Sequence, residues 1–204
     1  MPAWTETCWT FTDEDVEAYH DATRLNHHFG LPLPYLSRVF SLRMSKDGLV
    51  ERDPTKPPKM RKSGLRRLGG DFGNLVACRR IKSEHPEAWI WAERYTFTRE
   101  PASPSWAKDQ AAFVAAVGVK RLINVQDRAL ALGLNPAGKT AGRPDLAVFI
   151  PGGQPQWRFI ELKKGTDTLN ARQEAWLELL ADVFGKDSAV AVTLVRQHQD
   201  SVLP

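Results

Sequence analysis

Two carboxylates and one lysine stand at matching positions around a predicted hairpin. Asp145 and Glu161 each lie eight residues from Gly153, one on either side. In a symmetric antiparallel hairpin the two carboxylates face each other, with Cβ atoms about 4.5–5.5 Å apart. Lys163 follows Glu161 by two residues, so it points to the same face of the sheet. This end of the hairpin would therefore present two negative charges and one positive charge together.

These residue types suit metal-assisted hydrolysis of a phosphodiester. Two opposed carboxylates repel each other, and burying them without a counter-charge is costly. A divalent cation removes the repulsion, and Mg²⁺ prefers hard oxygen ligands while it keeps several waters. Water bound to such a cation can attack phosphorus, and a neighbouring lysine can orient that water or stabilise the transition state. The three residues thus predict a metal-dependent site for phosphoryl chemistry.

The hairpin is predicted from two apolar segments and the turn between them. Residues 145–150 (DLAVFI) and 157–162 (WRFIEL) favour strands, and residues 151–155 (PGGQP) supply turn chemistry. A further apolar segment, residues 189–195 (AVAVTLV), predicts a third strand.

The helix between the second and third strands is specified at both ends. Asn170 is a good N-cap, and Gln173 three residues later completes a capping box. Trp176 belongs to an apolar stripe along one face, and Gly185 closes the helix as a C-cap. The pattern predicts a helix over residues 170–184.

Three short motifs in this order resemble the PD-(D/E)XK nuclease superfamily. They are Pro144-Asp145, the E-x-K element Glu161-Leu162-Lys163, and the helix that carries Gln173 and Trp176. With the glycine before the proline and the hairpin length, they look most like the virus-type replication-repair nuclease (VRR-NUC) domain. The resemblance covers about residues 106–196.

This resemblance implies an α+β fold with a restriction-endonuclease-like core in the order helix, three strands, helix, strand (αβββαβ). It implies cleavage of DNA phosphodiester bonds that depends on Mg²⁺ or Mn²⁺. Asp145, Glu161 and the main-chain carbonyl of Leu162 would be metal ligands. Lys163 would be the catalytic lysine, and Gln173 would point from its helix into the site.

The family also places an acidic residue on its first core helix. Asp109 is the first choice, because it starts a predicted helix at a suitable distance upstream of Asp145. Asp127 is the second choice, and neither residue sits in a clear local motif.

Pro101 and Pro104 divide the chain into two predicted parts. Residues 1–100 form an N-terminal extension that includes a basic loop, and residues 101–204 form the nuclease core. The remaining predicted elements are a helix from Thr12 to about His28, strands around 89–91 and 95–98, and one or two helices from 106 to 125 with a weak point at Gly118.

Basic residues cluster in the loop at residues 53–70, where no acid lies between Asp53 and Asp71. Such a cluster attracts a polyanion, and a solvated loop is an equally good interpretation. The loop before Asp145 and Lys164, which alternates away from Lys163, are further candidates for phosphate contacts. The predicted nucleic-acid-binding residues are Lys56, Lys59, Arg61, Lys62, Arg66, Arg67, Lys139, Arg143 and Lys164.

Stand-alone members of the VRR-NUC family act as homodimers on branched DNA such as Holliday junctions. The resemblance therefore implies a homodimer whose two sites cut two strands of a junction, in repair, recombination or phage replication. Nothing in the sequence itself encodes branch recognition, so this expectation rests on the resemblance alone.

Length and composition are those of a globular domain. The chain has 204 residues, of which 42% are apolar and 25% charged, with a net charge of +4. No apolar run reaches the roughly 18 residues of a membrane helix, and the N-terminus lacks the pattern of a signal peptide. Cys8 and Cys78 are too few for a disulfide framework or a four-ligand zinc site. The expected location is the cytoplasm of a bacterial or phage-infected cell, or the nucleus in a eukaryote.

Two other functions stay open. A protein with this fold but without activity could bind nucleic acid through its basic loop and exposed aromatic residues. Residues 133–140 (GLNPAGKT) also match G-x-x-x-x-G-K-[ST], the phosphate-binding loop of NTPases. That loop must lead directly into a helix, which residues 141–144 (AGRP) do not propagate easily.

Overall fold

The computed structural model of the chain describes residues 2–16, 72–92, 95–102, 104, 107–137, 142–164 and 167–197. Within these ranges the strands are β1 Thr5–Phe11, β2 Trp89–Ala92, β3 Leu146–Ile150, β4 Gln156–Lys164 and β5 Ala189–Arg196. They form one sheet in the spatial order β1-β5-β4-β3-β2. The pairs β2–β3 and β3–β4 are antiparallel, and the pairs β4–β5 and β1–β5 are parallel.

The β3–β4 hairpin has the register that its sequence predicts. Leu146 pairs with Ile160 and Ile150 pairs with Gln156, so the pairing is symmetric about Gly153. The three apolar segments that predict strands in this half of the chain are all confirmed as strands.

Helices cover both faces of the sheet. They are α1 Phe72–Glu84, α2 Ala107–Val117, α3 Val119–Ala131 and α4 Ala171–Phe184. On one face, α1 shares a hydrophobic cluster with Leu146 and Ile160. On the other face, α2, α3 and α4 share a second cluster with Trp157 and Phe159. The predicted α+β fold is therefore confirmed, and residues along a strand alternate between these two helical layers.

The order α1, β2, β3, β4, α4, β5 contains the predicted αβββαβ core. The helices α2 and α3 are inserted between its first two strands, and Gly118 separates them. Gly118 has a φ of 82°, a conformation that a residue with a side chain rarely adopts, so the predicted weak point is a true helix boundary.

The sheet extends into the first half of the chain. β1 pairs with β5 from Thr5↔Val190 to Phe11↔Arg196, and β2 pairs with β3. The boundary predicted at residue 101 thus separates strands of a single sheet, because β1 and β2 precede it.

The strand predicted at residues 95–98 is wrong, since this segment is buried but irregular. The side chain of Gln110 takes the place of a neighbouring strand. Its Oε1 accepts from the N–H of Thr96 at 2.9 Å, and its Nε2 donates to the carbonyl of Thr96 at 2.9 Å. One buried amide therefore satisfies main-chain groups that a strand would otherwise pair.

Two other predictions fall wholly or partly on residues that the structure leaves undescribed. Of the helix predicted from Thr12 to His28, residues 13–16 are described and are helical. The basic loop at residues 53–70 lies outside the described residues. Among the described helices, none has the length and hydrophobicity needed to cross a bilayer.

Candidate active site

Asp145 and Glu161 lie at the end of the hairpin that is opposite its turn. Asp145 directly precedes β3, and extending the β3–β4 register by one residue sets it across from Glu161. Its Oδ2 accepts a hydrogen bond of 2.8 Å from the main-chain N–H of Leu162. Strand alternation puts both carboxylates and Lys163 on the face that α4 covers. The structure thus brings the three charged side chains together.

Glu161, Lys163 and Gln173 form a hydrogen-bonded network at this position. Nζ of Lys163 lies 3.1 Å from Oε1 of Glu161 and donates to Oε1 of Gln173 at 2.7 Å. Nε2 of Gln173 also donates to Oε1 of Glu161. Because Glu161 is only 3% exposed, water screens these interactions weakly and the network holds its members firmly.

The first turn of α4 delivers Gln173 to this network. The side chain of Asn170 accepts from the main-chain N–H groups of Arg172 and Gln173 at 3.0 and 3.1 Å. Oε1 of Gln173 accepts from the N–H of Asn170 at 3.0 Å, which completes the predicted capping box. The same Oε1 atom accepts from Lys163, so a single amide both caps the helix and holds the lysine.

The electrostatics of Glu161 are unusual for a carboxylate. Its pKa is raised to about 8, first because burial disfavours the charged form and second because Asp145 lies nearby. Lys163 and Gln173 act in the opposite direction but do not cancel the shift. With both carboxylates ionised, the site would carry more negative charge than Lys163 can compensate, so Glu161 holds its proton until a cation replaces it.

The donor set fits a hard divalent cation. Two carboxylates are the ligands that Mg²⁺ and Mn²⁺ prefer. The N–H and the carbonyl of one residue in a strand point to the same side, so the carbonyl of Leu162 turns toward Asp145 as its N–H does. No cluster of three or more His, Cys, Asp or Glu side chains occurs among the described residues. Two carboxylates and one carbonyl suit Mg²⁺, which keeps several of its waters.

Asp109 lies in the first turn of a helix, as predicted, and its role as a further acid stays a prediction. Asp109 lies in α2, whereas the position of first core helix belongs to α1. Its main-chain oxygen accepts from Nε1 of Trp91 at 3.0 Å, and Asp127 is exposed on α3. Neither side chain is among the charges that shift the pKa of Glu161. In α1 the acid is Glu84, which pairs with Arg80 in the last turn.

Arg143 lies largely inside the protein in this structure, and its predicted contact with DNA stays a prediction. Arg143 is buried, its guanidinium donates to the main-chain oxygen of Tyr95, and it lies 5.0 Å from the centroid of the Tyr95 ring. Most of this guanidinium therefore faces Tyr95 and the protein interior. Lys164 lies on the α1 face, where its Cε is close to Gly73, and thus points away from Lys163 as predicted.

The remaining predicted basic residues are not described by the structure. Lys139 and the six basic residues of the 53–70 loop lie outside the described ranges. The phosphate-binding-loop interpretation of residues 133–140 lacks its helix, because residues 142–145 are irregular and β3 follows them. An NTPase loop requires a helix N-terminus at that point.

Tyr95 also belongs to this region, although the sequence does not predict it. Its hydroxyl donates to the main-chain oxygen of Pro144 at 2.8 Å, directly before Asp145. Tyr95 lies in an alternating aromatic segment that is typical of a strand, and no local signal points to a contact with residue 144.

Comparison with known proteins identifies one family. The model of the VRR-NUC domain matches residues 81–197, which is more than half of the chain. Among solved structures, the chain is similar to a crystal structure of paFAN1 bound to 2-nt 5′-flap DNA with a gap. That similarity has 20% sequence identity and a TM-score of 0.35, and it covers 64% of this chain and 21% of that one. The chain therefore spans about a fifth of that protein, and no curated protein matches it.

Proposed function

Because the chain belongs to the VRR-NUC domain family, we propose that it is a DNA endonuclease that depends on Mg²⁺ or Mn²⁺. The observation that carries the proposal is the arrangement of Asp145 opposite Glu161, with Lys163 and Gln173 bonded to Glu161. A solvent-facing ion pair would not need the partly buried amide of Gln173, which joins Glu161 to Lys163.

Each residue has a distinct role in this proposal. Asp145, Glu161 and the carbonyl of Leu162 would hold the metal ion. When bound, the ion would supply Lewis-acid stabilisation of the phosphate and lower the pKa of a water. Lys163 holds a positive charge beside the carboxylates, where it can orient the attacking water and stabilise negative charge on the phosphate. Gln173 keeps the Lys163 ammonium in place through its Oε1 atom.

A cleavage assay with active-site variants tests the proposal. Purified protein is incubated with supercoiled plasmid in Mg²⁺, in Mn²⁺ or in EDTA. We expect cleavage with either metal, no cleavage in EDTA, and loss of cleavage in Asp145→Ala. Cleavage that survives Asp145→Ala would refute the assigned site.

Preference for branched DNA and a dimeric state are finer parts of the proposal. Family membership supports both, and each has its own measurement. Cleavage rates on a four-way junction and on matched linear duplex test the DNA preference, and light scattering on the eluted protein tests the dimer. Equal rates on the two substrates, or a monomer mass, would reject the respective part.

A non-catalytic nucleic-acid-binding protein is the second candidate. It is favoured by the absence of a third acid in the site among the residues that the structure describes. Tight DNA binding in EDTA, together with no Mn²⁺ binding and no cleavage, would establish it over the enzyme.

A further inference from the structure

Residues 143 and 144, which directly precede Asp145, make two reciprocal hydrogen-bond contacts with Tyr95. The guanidinium of Arg143 donates to the main-chain oxygen of Tyr95 and lies over its ring. The hydroxyl of Tyr95 returns a hydrogen bond of 2.8 Å to the main-chain oxygen of Pro144. Both side chains are buried, so these bonds are exchanged with little competition from water.

The same segment packs against the helix that carries Gln173. Gly142 has a φ of 76°, and a Cβ there would lie 3.0 Å from Cβ of Arg172 and 3.5 Å from the main-chain nitrogen of Gln173. A larger residue would have to push the first turn of α4 away. Residues 142–144 thus connect Asp145 to α4 on one side and to Tyr95 on the other.

We infer that Tyr95 and Arg143 are positioning residues that hold Asp145 in the geometry for metal binding, an inference that rests on the proposed function. The Tyr95 hydroxyl binds the main chain of Pro144, and the Arg143 guanidinium binds the main chain of Tyr95, so both bonds hold the two residues that immediately precede Asp145.

The physical reason is preorganisation. Asp145 directly precedes β3, so the residue after it, Leu146, is paired with β4 in the sheet. The residue before it, Pro144, accepts a hydrogen bond from the Tyr95 hydroxyl. If the hydrogen bond from Tyr95 is lost, the Asp145 carboxylate samples more positions. Metal binding must then restrict the carboxylate, which lowers the affinity for the ion. Loss of a supporting contact of this kind typically weakens metal binding by about 10–100-fold.

Two conservative variants test the inference. Tyr95→Phe keeps the ring, which also packs 4.9 Å from the centroid of Phe113, and removes the hydroxyl. Arg143→Lys keeps the charge but has no planar group to lie over the ring. Mn²⁺ affinity is measured without DNA by electron paramagnetic resonance, and cleavage is measured across Mn²⁺ concentrations. We expect Mn²⁺ to bind about tenfold more weakly in each variant, with cleavage recovering toward the wild-type rate at saturating Mn²⁺.

Val125→Ala is the matched control for stability. Val125 is fully buried in α3, within the same hydrophobic cluster but outside the site. We expect this variant to lower the melting temperature at least as much as Tyr95→Phe does, and to keep wild-type Mn²⁺ affinity. Tyr95→Phe also provides an answer if Arg143→Lys does not fold.

The outcomes separate this inference from the proposed function. Wild-type Mn²⁺ affinity in Tyr95→Phe would overturn the positioning role, while Mn²⁺ binding that is lost in Asp145→Ala would leave the proposed function intact. If the wild-type protein itself binds no Mn²⁺, the proposed function fails, and the inference fails with it. Equal losses of affinity in Tyr95→Phe and Val125→Ala would show a general effect of stability and would also reject the inference.

Discussion

Every second side chain of β4 points to the face that α4 covers, and the two halves of the strand meet very different surroundings there. Trp157 and Phe159 lie in an aromatic cluster, and Phe159 is 4.8 Å from Phe184 between ring centroids. Two residues further along, Glu161 and Lys163 lie in the hydrogen-bonded network. The strand geometry is continuous, so the difference comes from the helix above it.

The helix α4 runs across this face with a polar start and an apolar end. Its first turn sets Gln173 against Glu161 and Lys163, and its last turn sets Phe184 against Trp157 and Phe159. One end of the face therefore stabilises the fold through apolar burial, and the other end buries charged groups at a cost in stability. Substitutions at the two ends should thus separate activity from stability.

The largest effect is expected for Lys163→Ala. Removal of the ammonium should reduce the cleavage rate by about a thousandfold, as for loss of a group that acts on a proton or charge in the transition state. Single-turnover cleavage of plasmid DNA at saturating Mn²⁺ measures it. Lys164→Ala is the matched control, because Lys164 is the next residue and lies on the opposite face. Equal losses in the two variants would mean that general DNA affinity, not position in the site, accounts for the effect.

The aromatic end should show the reverse behaviour. Phe159 is fully buried, so Phe159→Ala should lower the free energy of unfolding by about 3–5 kcal/mol through the cavity it leaves. Urea denaturation measures this loss. Cleavage per folded molecule, measured well below the unfolding temperature, should fall far less than in Lys163→Ala. A loss of activity as large as that of the lysine variant would show that the two ends are not separable.

The raised pKa of Glu161 predicts that the metal-free protein loses stability as pH rises. The folded-state pKa is about 8, above the ordinary value of 4.5, so between these values the folded state keeps a proton that the unfolded state has released. The free energy of unfolding therefore falls as pH increases through this window and levels off above the folded-state pKa. We expect the melting temperature to drop by roughly 5–10 °C between pH 5 and 8.5.

Glu161→Gln is the comparison for this pH dependence. It keeps the size of the side chain and removes its titration, so the fall in melting temperature should be much smaller. The affinity of the wild-type protein for Mn²⁺ should increase by up to about tenfold per pH unit below pH 8, because the cation displaces the proton. A melting temperature that depends on pH equally in both proteins would contradict the assignment to Glu161.

The smallest effect is expected at the cap of α4. Asn170→Ala removes the acceptor for two main-chain N–H groups and should lower the free energy of unfolding by about 1 kcal/mol. Because Gln173 takes part in the same capping box, the cleavage rate should also fall, though much less than in Lys163→Ala. Asn170→Asp keeps an acceptor and should restore most of the stability, as measured by urea denaturation. No change in stability in Asn170→Ala would rule out a role for the cap.

The features predicted correctly from sequence depend on residues that are close in the chain. The hairpin register follows from the turn around Gly153, and the start of α4 follows from Asn170 and Gln173. The family resemblance is confirmed by the match at residues 81–197, which also begins earlier than the predicted start at 106. The site residues form a group because this hairpin and this cap lie side by side.

The features that were missed depend on residues far apart in the chain. β1 is largely exposed and lacks a strong apolar pattern, and its parallel partner β5 is at the other end of the described chain. Residues 95–98 do not form the predicted strand, because the side chain of Gln110 binds the main-chain N–H and carbonyl of Thr96. The sequence predicts Arg143 as an exposed base, whereas its tertiary contact with Tyr95 buries it. Patterns of neighbouring residues do not encode such pairings.

The amino-acid order alone determined that Asp145 and Glu161 would oppose each other, because a turn centred on Gly153 and strand alternation are local properties. Folding in three dimensions decided how those groups behave. It buried Glu161 until its pKa rose to about 8, brought Gln173 to Lys163, and fastened the chain before Asp145 to Tyr95. Burial and long-range contacts arise only when distant segments pack together. They set the pKa of Glu161 and the positions of the side chains around it, which the spacing of the acids in the sequence does not determine.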